Sequence, residues 1–136
     1  MPVGYSKRSL VEKLGIKPGT RFVILGAPPG YSKTLGELPQ GARQLAGLRG
    51  SLRFVHFFTK ESKELERRFA ALKRALAPDG ALWISWPKGT SKVPTDLSES
   101  VVREIGLRHG LVDIKVCAVD EAWSGLKFVY RVKDRK

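Results

Sequence analysis

The residues best suited to chemistry in this chain are Gly26, Gly30, Tyr31, Trp86, Lys88, Asp120, Glu121 and Trp123. Each lies in a segment that ends or follows an apolar run. Indole faces bury the apolar body of a small molecule, and a few convergent polar groups fix its orientation. Gly26 and Gly30 bracket Ala27-Pro28-Pro29 in a loop that can approach a ligand closely. Lys88 suits an anion and a solvated loop equally. Asp120 and Glu121 have the composition of an acid–base pair, although adjacent acids between strands ordinarily do turn chemistry. The expected occupant is a small anionic ligand or a protein segment, bound without catalysis. Trp86 and Trp123 are expected to approach one another, with Lys88 and the two acids around them.

No catalytic constellation accompanies these residues. His56 lies inside an apolar run and reads as a satisfied sheet histidine, and His109 precedes Gly110 where a helix should end. Cys117 reads as a small, partly hydrophobic strand residue. Ser85 has no nucleophile-elbow context, and two distant histidines with one cysteine make no metal site. No catalytic residue, metal or cofactor is therefore assigned.

The elements that must position these groups follow from periodicity. Ser6 to Ser9 precede Leu10, Val11 and Leu14 in a short capped helix stopped by Gly15. Arg21 to Leu25 read as a buried strand, Tyr31 to Leu38 as a short helix, and Ala42 to Ala46 as a weak strand. Leu52 to Phe58 form an aromatic, β-branched strand. Thr59 is the expected N-cap of a helix whose Leu65, Phe69, Leu72 and Leu76 share one face, with Pro78-Asp79-Gly80 ending it. Ala81 to Trp86 form another strand. Asp96 and Glu99 have the spacing of a capping box opening a helix that Gly110 closes. Val112 to Val119 and Leu126 to Val132 complete the series as two strands. Strand–helix alternation implies a mostly parallel sheet with right-handed crossovers. The short connection from Asp120 to Gly125 forces the last strand antiparallel to its neighbour. The expectation is an α/β, Rossmann-like three-layer fold with a terminal antiparallel hairpin, in one domain over residues 1–136.

The chain has 136 residues, with 42% hydrophobic and 28% charged. That composition supplies a core and excludes a disordered chain. No apolar run approaches the roughly 20 residues that span a bilayer, and the N-terminal segment lacks a signal peptide's apolar centre. A cytoplasmic, non-membrane protein is expected. Lys and Arg number 25 against 13 Asp and Glu, a formal net charge of +12. The excess makes a basic RNA- or ribosome-associated protein the alternative reading. The basic residues are spread along the sequence without a block, so nucleic-acid binding is expected to be weak and sequence-independent.

The order of elements resembles that of class I methyltransferases. Leu14-Gly15-Ile16-Lys17-Pro18-Gly19-Thr20-Arg21-Phe22-Val23 is similar to the run into their first strand. Leu72-Lys73-Arg74-Ala75-Leu76-Ala77-Pro78-Asp79-Gly80-Ala81-Leu82 is similar to a later helix–turn–strand passage. Three further blocks resemble a bacterial domain-of-unknown-function family: Trp83 to Lys88, Val93 to Leu97, and Val116 to Lys127. The methyltransferase resemblance implies a glycine-rich loop against S-adenosylmethionine after the first strand and an acid on its ribose after the second. Here the loop carries Pro28 and Pro29, which have no N–H, and Gly47, Leu48 and Arg49 follow the second strand without an acid. A small S-adenosylmethionine-dependent methyltransferase with a degenerate cofactor loop is thus the third reading, with binding expected to be worse than millimolar.

Overall fold

The computed structural model describes residues 9–135; Ser6 to Arg8 of the expected first helix lie outside them. Helix α1 is Leu10–Leu14, capped reciprocally by Ser9 and Glu12 and closed by Gly15 at φ 93°. Strands β1 (Arg21–Leu25), β2 (Arg43–Gln44), β3 (Leu52–Phe58), β4 (Leu76–Pro87), β5 (Leu111–Ala118) and β6 (Trp123–Tyr130) form a single sheet. Its order is β2-β1-β3-β4-β6-β5. The first three pairings are parallel, and β6 is antiparallel to both β4 and β5. The expected Rossmann-like α/β fold and terminal hairpin are therefore present.

The helices divide between the two faces. On one face, α3 (Ser62–Arg74) and α4 (Glu99–Arg108) insert Leu65, Phe69, Leu72, Val102 and Ile105 against Val23, Val55, Phe57, Leu82, Ile84, Leu126 and Phe128. On the other, α1 and α2 (Tyr31–Leu35) cover Phe22, Phe54, Phe58 and Trp83. Trp83 is wholly buried, and its Nε1 donates to the Leu14 carbonyl at 2.8 Å. That bond ties the end of α1 to the middle of the sheet. Lys115 Nζ donates to the Lys13 carbonyl at 3.2 Å, a cation serving the carbonyl end of the same helix.

Several boundaries differ from the sequence reading. Helix α2 stops at Leu35 because Gly36, at φ 94°, closes it. Helix α3 ends at Arg74 rather than at Pro78-Asp79-Gly80, because Leu76 and Ala77 are buried and the chain joins the sheet with Leu76 beside Leu52. Residues 77–80 form an irregularity in β4. A Cβ on Gly80 would lie 2.6 Å from the Leu52 carbonyl oxygen, so this close approach requires glycine. The last strand begins at Trp123, three residues earlier than the expected Leu126.

Candidate functional site

The carboxyl ends of β1 and β3 open on a crevice of about 450 Å3. Its walls are the Gly26 to Pro29 loop, Phe58, Thr59, Lys60, Glu61, Glu64 and Trp123. A crevice beyond the carboxyl ends of parallel strands is where a doubly wound sheet presents ligand sites. Gly26 is fixed here by geometry. Its φ is 71°, and a Cβ would meet the Phe58 carbonyl oxygen at 2.6 Å. The loop therefore crosses the end of β3 at backbone contact distance. Phe58 and Trp123 meet edge to face, with ring centroids 5.2 Å apart, and form the aromatic wall.

The charged groups on this crevice are Lys60, Glu61 and Glu64. Thr59 is buried, and its hydroxyl donates to the Glu64 carboxylate while accepting from the Glu61 amide at 3.3 Å. The N-cap of α3 is Glu61 rather than Thr59, since Thr59 sits one position outside the cap residue's neighbour and works through its side chain. Asp96 supplies the remaining cap. Its carboxylate accepts from the Ser62 amide and hydroxyl, both at 2.8 Å, and these bonds hold its carboxyl below its ordinary range. The expected capping box at Asp96 and Glu99 is thus replaced. Ser98 caps α4 through Val101, and Asp96 reaches across to a different helix. Asp96 thus places a carboxylate on the first turn of α3 and takes one of its free amides, which makes that end less receptive to an anion.

A second crevice of about 440 Å3 lies on the other side of the same loop, lined by Ala27, Pro28, Gly30, Tyr31, Leu35 and Gln44 among others. Gly30 is the N-cap of α2 at φ 79°. Tyr31 is buried, and its hydroxyl lies 3.0 Å from His56 Nδ1. The other ring nitrogen, Nε2, is 2.7 Å from Ser85 Oγ. His56 and Ser85 are both fully buried, and the imidazole stacks on Phe58 at 4.2 Å. A neutral imidazole has one donor and one acceptor, so one hydroxyl donates to it and the other accepts. Burial pushes the His56 pKa down to about 3. Burial, reinforced by Cys117 and Asp120, raises the Tyr31 phenol above its ordinary range. The Tyr31–His56–Ser85 chain is a satisfied polar network beneath the site. The sequence named His56 as a satisfied sheet residue and missed both partners, which lie 25 and 29 positions away.

The remaining candidates separate. Trp86 pairs with Ser124 and Trp123 with Pro87, one step out of phase. Side chains alternate across a sheet, so the two indoles lie on opposite faces. Trp86 packs in the core beneath α3 and α4, and Trp123 packs in the core beneath α1 and α2. Their expected approach does not occur. Lys88 does not line the Trp123 crevice. Its amide donates to the Ala122 carbonyl at 2.8 Å and its carbonyl accepts from Ser91. Asp120 Oδ1 accepts from the Ala122 and Trp123 amides at 2.8 and 2.9 Å, which is turn chemistry. Glu121 is exposed beside it.

No protein-family model matches this chain, and no curated protein matches it by sequence. Solved structures do. A methyltransferase from Aquifex aeolicus, described as S-adenosylmethionine-dependent, superposes with TM-score 0.64 at 17% identity, over 88% of this chain and 86% of that one. The fold is that of the class I methyltransferases. A TehB-like S-adenosylmethionine-dependent methyltransferase from Corynebacterium glutamicum gives TM-score 0.56 at 14% identity, covering 90% and 85%. Magnesium protoporphyrin IX methyltransferase from Synechocystis, with bound S-adenosylmethionine, gives 0.58 at 14%, covering 90% and 74%.

The residues present fit that cofactor poorly. Pro28 and Pro29 remove two amide donors from the loop, and the Tyr31 amide is already given to the Pro28 carbonyl at 3.2 Å. At the end of β2, Gln44 stands on the crevice where a ribose-binding carboxylate is implied, and the Leu45 amide is consumed by Phe22. Among the described residues, no group of three or more His, Cys, Asp and Glu could hold a metal. No described helix is long and apolar enough to cross a membrane.

Proposed function

We propose that this chain is a small-molecule binding domain on the methyltransferase scaffold, with its occupant in the crevice beyond β1 and β3. The carrying observation is the wall itself. The largely buried Phe58 and Trp123 form its apolar floor, while Glu61 and Glu64 outnumber Lys60 as its charged groups. Carboxylates over an apolar floor favour a ligand with an apolar body and a cationic or zwitterionic head. This departs from the small anionic ligand expected from the sequence, because Lys88 does not line that crevice. The one histidine near the crevice is buried, neutral and doubly hydrogen-bonded, so it is not available as an acid or base.

The second reading is a small methyltransferase, favoured by the shared fold of the neighbours described above. One experiment separates the two. The protein is titrated calorimetrically with S-adenosylmethionine, S-adenosylhomocysteine, quaternary ammonium compounds and nucleoside phosphates. The binding-domain reading expects cationic or zwitterionic compounds to bind and Glu64→Gln to weaken them. S-adenosylmethionine, a sulfonium zwitterion, suits the crevice by charge, but Pro28 and Pro29 lack donors and Gln44 stands in place of an acid, so its affinity is expected to be millimolar or weaker, about −4 kcal/mol or less in magnitude. Micromolar S-adenosylmethionine together with transfer of its methyl group would establish the second reading. Preference for nucleoside phosphates would refute the charge argument.

A further inference from the structure

The positive charge that is dispersed along the sequence is concentrated by the topology. All parallel strands enter the sheet at its amino edge, so residues distant in sequence meet there. Arg21 of β1 is the register partner of Arg43 of β2. Phe22 pairs with Phe54, and one step back along both strands sets Arg53 of β3 beside Arg21. Arg43, Arg21 and Arg53 thus form one row across three neighbouring strands, and all three are exposed. Adjacent strands lie about 4.8 Å apart, so the row spans roughly 10 Å.

Like charges directly opposite one another on a sheet are unfavourable. Among the described residues, Arg21 and Arg43 have no ion pair or side-chain hydrogen bond, and Arg53 has only Asp79 at 3.5 Å on a mostly exposed pair. Other basic residues near this edge have local work. Lys73 donates to the His109 carbonyl at 2.7 Å and, with Arg74, occupies the last turn of α3, where a cation suits the helix dipole. The three strand-entry arginines have no helix end to serve. Arg49 in the loop entering β3, and Lys133 beyond β6, add charge at the same edge.

We propose that this arginine row is a binding surface for the phosphate backbone of single-stranded RNA, on the edge opposite the small-molecule crevice. Arginine forks match phosphate oxygens, and a row of three follows successive phosphates of an extended strand. No aromatic side chain belongs to the row, so it tracks backbone without reading bases. An anionic membrane is the less favoured partner, since the row itself carries no apolar side chain to insert beside the arginines.

The test is fluorescence polarisation of a labelled mixed-sequence 20-mer RNA between 50 and 200 mM KCl, with the full chain. Arg21→Gln/Arg43→Gln/Arg53→Gln is compared with Lys33→Gln/Lys63→Gln/Lys92→Gln, which removes the same net charge elsewhere. Circular dichroism checks that both variants fold. Each phosphate contact contributes about 0.7 to the slope of log affinity against log salt for single strands. The arginine variant should show a slope shallower by about 2. Across the fourfold salt range, wild-type affinity should therefore fall about 20-fold more than that of the variant. The lysine variant should keep the wild-type slope, and replacing the three arginines by lysine should restore most of it. Equal loss in both glutamine variants would show that only net charge matters and would overturn the site. Absence of RNA binding at 50 mM salt would overturn it too, as would binding to phosphatidylserine vesicles in place of RNA.

Discussion

Acidification should unfold this protein through His56 before its carboxylates titrate. The imidazole is fully buried and its pKa lies at about 3 rather than its ordinary 6.5, because burial disfavours the charged ring. The native state therefore resists a proton that the unfolded state accepts. Stability from the neutral ring is complete above pH 6.5 and is lost as pH falls from there towards 3. Within that window the loss approaches about 1.4 kcal/mol per pH unit, which amounts to about 2 kcal/mol at pH 5 and about 3 kcal/mol at pH 4. Carboxylates with lowered pKa, such as Glu66 beside Arg108, add their own loss chiefly as pH falls through and below their ordinary value near 4.5. Comparison of pH 7 with pH 5 consequently isolates the histidine. The control is Tyr31→Phe/His56→Phe/Ser85→Ala, since His56→Phe alone would leave two buried hydroxyls without partners at about 1–3 kcal/mol each. Urea denaturation at both pH values should show wild type losing about 2 kcal/mol more than the triple variant. Equal losses in the two proteins would refute the reasoning, because the ring would then titrate alike in the folded and unfolded states.

Gly106→Ala on α4 should destabilise by about 1–3 kcal/mol despite better helix propensity, because the new Cβ would lie 2.1 Å from the buried Phe128 ring; thermal melts read the loss directly. Asp96→Ala should lower Tm by roughly 2–5 °C through loss of the two Ser62 bonds, and a Ser62→Ala/Asp96→Ala variant should be little worse than Asp96→Ala alone. Trp123→Ala should abolish binding of any crevice ligand and cost about 3 kcal/mol or more of stability, whereas Trp86→Ala should cost similar stability without touching ligand contacts. Paired denaturation and calorimetry on the two variants separate these effects.

Periodicity made most of the fold legible. Arg21–Leu25 and Leu52–Phe58 are strands at the expected bounds, and the short link after β5 required the antiparallel hairpin. What the sequence could not supply was parity. Residues 82–87 of β4 are all buried, so period-2 alternation is silent there and the face of Trp86 is not encoded locally. Its face emerges only from the register with Ser124. Asp96 shows a related limit. A short acidic side chain ahead of a helix has capping chemistry, but which helix it caps depends on the packing of α3 against the loop before α4. The buried histidine network is likewise a product of tertiary structure, joining three residues on α2, β3 and β4.

The Asp96 cap also bears on what the crevice can hold. In an α/β sheet the helix that follows a strand begins at the carboxyl edge, and its free amides normally make that edge receptive to anions. Here α3 is the helix that begins on the crevice, and a carboxylate from outside the crevice already occupies its first turn. Two glycine-loop positions are prolines, which deletes another source of amide donors. Glu64, held by Thr59, then faces the aromatic wall with Glu61 nearby and Lys60 as the one cation among the lining residues. Some of the scaffold's anion-receptive features are thus removed or satisfied internally, while carboxylates over a buried aromatic floor remain. Shape alone would admit ligands of either sign. On the binding reading proposed above, the charge distribution favours a cationic head, and phosphate recognition falls to the proposed arginine row at the opposite edge.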